Sequence, residues 1–75
     1  MATVKKLSLK VPDRVSAQGE VDASIILLEH DGEKFIQIDT YGSKERKFVG
    51  KRSQSLRLSE EAFEQLVKLG SSHFS

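Results

Sequence analysis

The sequence contains no cysteine, no tryptophan, one proline and one tyrosine. Without cysteine there are no disulfides, no thiolate metal sites and no thiol catalysis. Long apolar runs are missing too. The longest is Ile25-Ile26-Leu27-Leu28, against the roughly 20 residues that a membrane-spanning helix requires. Met1-Ala2-Thr3-Val4-Lys5-Lys6 lacks the apolar stretch of a secretory leader, so a cytoplasmic location is expected. Catalytic sets are also lacking. The two histidines, His30 and His73, have no partner at a meaningful spacing. No His-Glu-x-x-His pattern occurs, and Gly50-Lys51 is followed by Arg52 rather than the hydroxyl residue of a phosphate loop. Asp31 and Glu33 read as turn and surface residues rather than metal ligands. No nucleophile, base and orienter stand together. A non-enzymatic protein with no cofactor and no metal is expected.

What is present fits one small domain, residues 1–75. A chain of this size buries only about 60% of its unfolded surface. Self-association is a common remedy for such chains, because it adds buried area. Net charge is only +1, but its distribution is uneven. Residues 40–57 hold Lys44, Arg46, Lys47, Lys51, Arg52 and Arg57 against Glu45 alone, while both flanking segments are net acidic.

Asp31-Gly32 suits a two-residue type I′ turn, which needs φ > 0 at both positions. Ser24–His30 and Glu33–Tyr41 are then the arms of a hairpin. Its register pairs Leu27 with Ile36, Ile25 with Ile38, Leu28 with Phe35, Ile26 with Gln37 and Ser24 with Asp39. Side chains alternate between faces. One face carries Ile25, Leu27, Ile36 and Ile38 and is the expected core. The other carries Ile26, Leu28, Phe35, Gln37, Asp39 and Tyr41, too apolar for a face that meets only water. A basic, turn-rich connection is expected over Lys44–Gly50. A further strand, Ser53–Leu58, turns Leu56 and Leu58 inward. Ser59 is the expected N-cap of a helix with Glu60 and Glu61 in its first turn. Ala62, Phe63, Leu66, Val67 and Leu69 form its apolar stripe, with Phe63 in the core and Gly70 as the C-cap. The spacing of Val4, Leu7, Leu9 and Val11 predicts an initial strand over residues 4–11, stopped by Pro12. The expected class is α+β, a curved antiparallel sheet of about four strands followed by one C-terminal helix.

Six basic residues within eighteen suit a phosphate backbone, which releases counterions on binding. Aromatic rings beside them suit unstacked bases. The helix, with three glutamates and one lysine, is a poor fit to a duplex groove. These features point to single-stranded nucleic acid, with Phe35, Gln37, Tyr41, Lys44, Arg46, Lys47, Lys51, Arg52 and Arg57 as the candidate contacts. The alternative is a small protein-interaction or inhibitor module whose basic segment docks on an acidic or nucleic-acid-handling partner.

Phe35-Ile36-Gln37-Ile38-Asp39-Thr40-Tyr41 and the stretch from Gly50-Lys51-Arg52 through Leu58-Ser59-Glu60-Glu61-Ala62-Phe63-Glu64-Gln65-Leu66 carry a resemblance. This region resembles the transcriptional-coactivator positive-cofactor-four-like family of single-stranded DNA-binding domains. The likeness spans residues 33–69 and hardly reaches residues 1–24. It implies a homodimer joined through helix and sheet, with single strands lying across sheet surfaces and basic loops. By position it matches Lys51 and Arg52 to the basic start of the last strand. Arg57 matches an outward basic strand residue, and Tyr41 an aromatic near the end of the third strand.

Overall fold

A computed structural model describes residues 1–41 and 52–75, the side chains of Arg52 and Ser53 excepted. The connection containing Lys44, Arg46, Lys47 and Lys51 lies outside the described residues. The order is β1 (Ala2–Val4), β2 (Ala23–His30), β3 (Glu33–Tyr41), β4 (Arg52–Leu58) and α1 (Glu60–Phe74). The strands form one sheet in the order β1-β4-β3-β2. This is the expected α+β arrangement of four strands and one C-terminal helix.

The hairpin forms as its turn dictates. Asp31 and Gly32 adopt φ of 50° and 78°, the left-handed values that a type I′ turn demands. All five expected β2–β3 pairs are present, from Ser24 with Asp39 to Leu28 with Phe35. β4 runs antiparallel to β3, setting Leu58 beside Ile36, Leu56 beside Ile38 and Arg57 beside Gln37. A register irregularity at Thr40/Tyr41 then brings Tyr41 opposite Arg52.

The first strand differs from the sequence expectation. β1 covers only Ala2–Val4 and lies parallel to β4, so the sheet is mixed. Residues 5–11 form no strand, and Leu9 and Val11 are exposed. The chain leaves the sheet because its backbone groups find partners elsewhere. Ser59 N donates to Val4 O at 3.1 Å, and Ser59 Oγ donates to Lys5 O at 3.1 Å. The Gln65 side chain then takes both backbone groups of Leu7.

Ser59 caps α1 as expected, its hydroxyl accepting from Ala62 N at 3.2 Å. The helix does not stop at Gly70, however, but continues to Phe74. A glycine inside a helix costs only about 1 kcal/mol relative to alanine, and no proline follows to end it.

α1 packs on the aliphatic face above β3 and β4. Leu58 and Ala62 are buried there. Coverage ends at β3. On β2, Ile25 is 67% and Leu27 77% exposed, so the expected core face is half open. Phe63, expected in the core, is partly exposed and lines a groove of about 450 Å³ with Leu27, Ile36, Leu58 and Glu60.

Candidate nucleic-acid interface

Apart from the helix cap Ser59, the buried polar residues among those described lie on the opposite face of the sheet. Gln37 is 6% and Asp39 7% exposed, both on β3 between two neighbouring strands. The register builds this face in rows. Leu28 stands beside Phe35. Ile26, Gln37 and Arg57 form the next row, and Ser24, Asp39 and Ser55 the one after.

Hydrogen bonds connect the rows. Gln37 Nε2 donates to Asp39 Oδ1 at 2.9 Å, and Ser55 Oγ donates to the same oxygen at 2.6 Å. The amide of Gln37 is thereby oriented, since its nitrogen faces Asp39 and its oxygen must face the other way. That oxygen accepts from Arg57 Nη2 at 3.0 Å and more weakly from Nε at 3.4 Å. The Arg57 guanidinium is held over the Phe35 ring, its Cζ 5.6 Å from the centroid, within cation–π range. At the far end, Tyr41 and Ser24 share a hydrogen bond between their hydroxyls at 2.8 Å, and Tyr41 N donates to Asp22 O at 3.1 Å.

The structure thus brings together Phe35, Gln37 and Arg57, with Tyr41 farther along the same face. Phe35, Tyr41 and Arg57 are half-buried. Each presents some surface and is fixed by neighbours, as a stacking platform requires. Gln37, also expected as a contact, is buried. Both ends of its amide are engaged within the protein. Arg52 enters through its backbone, opposite Tyr41. Lys44, Arg46, Lys47 and Lys51 lie outside the described residues.

Sequence reasoning missed Ser24, Asp39 and Ser55 as parts of this network. The hairpin register did place Ser24 beside Asp39, and a buried carboxylate between two hydroxyl residues is a readable sign of a hydrogen-bonded row. Among the described residues, no three His, Asp or Glu side chains stand close enough to hold a metal ion, and no helix is long and apolar enough to cross a membrane.

Comparisons with protein-family models, curated proteins and solved structures give no match to the chain.

Proposed function

We propose that this protein is a non-enzymatic module that binds single-stranded nucleic acid as a homodimer, with DNA the polymer to which the resemblance points. The observation carrying this reading is Arg57, a cation fixed over an aromatic ring at the end of a segment whose eighteen residues, Arg57 included, carry a net charge of +5. Planar guanidinium and ring surfaces accept unstacked bases, and the guanidinium edge also donates to phosphate. Lys44, Arg46, Lys47, Lys51 and Arg52 lie between β3 and Arg57 in sequence and supply counterion-releasing charge.

Fluorescence anisotropy with labelled single-stranded oligonucleotides at two salt concentrations tests the reading. Binding that weakens as salt rises is expected. No binding at low salt, or binding indifferent to salt, would overturn it. The open aliphatic face of β2 favours a second reading, a protein-docking module. That reading predicts no oligonucleotide binding by the intact chain, and single-stranded DNA whose gel mobility the protein leaves unchanged.

A further inference from the structure

We propose that β2 is a self-pairing edge, joining two copies of the chain into one continuous eight-stranded sheet with Ile26 on the two-fold axis. This deepens the homodimer part of the proposed function by assigning the surface through which the copies meet.

β2 is the last strand of the sheet, and no described residue pairs with its outer side. Its central residues Ser24 to Leu28 carry no charge and no proline, the usual guards of an exposed edge. The bond from Tyr41 N to Asp22 O fixes the hydrogen-bonding phase. Antiparallel pairs alternate, so even-numbered residues of β2 direct their backbone groups toward β3. Ala23, Ile25, Leu27 and Glu29 therefore direct theirs outward, where backbone donors and acceptors await another strand.

A two-fold axis perpendicular to the sheet keeps equivalent faces on the same side. It also requires each outward residue to meet another outward one. With the axis at Ile26, Ile25 pairs with Leu27 of the partner subunit, Ala23 with Glu29 and Asp22 with His30. All outward backbone groups of Ala23, Ile25, Leu27 and Glu29 find partners. The exposed Ile25 and Leu27 become cross-strand neighbours, and at each end the His30 imidazole, already 3.3 Å from Asp31 of its own chain, gains a second carboxylate. Centring on Leu27 instead would place Glu29 against Ile25. Centring on Ile25 would place Asp22 against Leu28. Of the three registers, the Ile26 one alone opposes Ile25 to Leu27 and Asp22 to His30, with Leu28 facing Ser24, and this self-complementarity marks a second copy as the occupant. The two Phe35–Arg57 faces then lie on one side of the joint sheet, with the β4 strands about 24 Å apart at ordinary strand spacing.

The absence of cysteine makes the test direct. Residues on the axis form a pair without mutual hydrogen bonds, with Cα atoms about 4.5 Å apart, inside disulfide range. Ile26→Cys is expected to cross-link into a covalent dimer under mild oxidation. Leu28→Cys, whose two copies sit about 14 Å apart along the strands, is expected to stay reduced. In the unmodified chain, the Ile25 and Leu27 amides should gain protection from hydrogen exchange as protein concentration rises. A dimeric mass with no Ile26→Cys cross-link and unprotected Ile25 and Leu27 amides would overturn the edge pairing and leave the homodimer standing. A monomeric mass at all concentrations would overturn both.

Discussion

Gln65 on α1 holds Leu7 by both of its backbone groups. Leu7 N donates to Gln65 Oε1 at 2.8 Å, and Gln65 Nε2 donates to Leu7 O at 3.0 Å. A primary amide here does what a neighbouring strand would do, and it fixes a segment that has left the sheet.

Replacing Gln65 with alanine removes both bonds. At a net value of about 0.5–1.5 kcal/mol per bond, a destabilisation of about 1–3 kcal/mol is expected. The denaturant midpoint reports it, and the Leu7 amide should lose its hydrogen-exchange protection. Gln65→Glu keeps the acceptor but cannot donate to Leu7 O, so it should restore only part of the stability. Full stability in Gln65→Ala would mean that the segment is held by other contacts.

Ser59 serves two elements through one hydroxyl, accepting from Ala62 N and donating to Lys5 O. Ser59→Ala is expected to cost about 1–2 kcal/mol, more than an isolated cap of the peptide kind. Ser59→Asp keeps the cap but has no proton to offer Lys5 O. It should rescue the helix, seen as far-ultraviolet circular dichroism, while the denaturant midpoint recovers only in part because the bond to Lys5 O stays lost.

Arg57 separates charge from stacking in the proposed interface. Arg57→Lys retains the charge but gives up the guanidinium plane over Phe35 and the geometry toward Gln37. Affinity for single strands is expected to fall about tenfold, within the 1–3 kcal/mol of a stacked base, with the salt dependence unchanged. Lys51→Glu with Arg52→Glu should instead weaken binding to every sequence alike. It should also flatten the salt dependence by about 0.7 for each phosphate no longer neutralised. Equal behaviour of the two variants in anisotropy titrations would contradict this division.

Asp39 orients Gln37, which orients Arg57. Asp39→Ala leaves the buried Gln37 amide without this acceptor, an expected cost of about 1–3 kcal/mol. Affinity should fall with it although Asp39 itself carries the wrong charge for a phosphate contact. Single-strand affinity that is unchanged or higher in a folded Asp39→Ala protein would show that the relay does not position Arg57.

Much of this fold is legible in the sequence because local chemistry dictates it. Asp31-Gly32 allows one tight turn, and that turn sets every β2–β3 pair. Ser59 starts the helix because its hydroxyl competes well for exposed backbone donors. The initial strand was not legible in its true extent. Alternation of Leu7, Leu9 and Val11 is equally compatible with a strand and with an extended segment pinned to a helix, and only Gln65, far along the chain, decides between them. Gly70 misled for a related reason, since a glycine permits a helix to end without compelling it. In the site, alternation put Phe35, Gln37, Tyr41 and Arg57 on one face. It could not show that Gln37 spends both amide ends on neighbours, because that depends on distances between side chains on adjacent strands.

The parallel pairing of Ala2–Val4 with Leu56–Leu58 joins residues that are far apart in the sequence. The β2–β3 hairpin can close as soon as its two arms leave the ribosome, in microseconds. β1 has no seat until β4 has been synthesised, and β4 must first dock on β3. Loop closure over such a span slows the final step, so β1, made before the other three strands, settles after them.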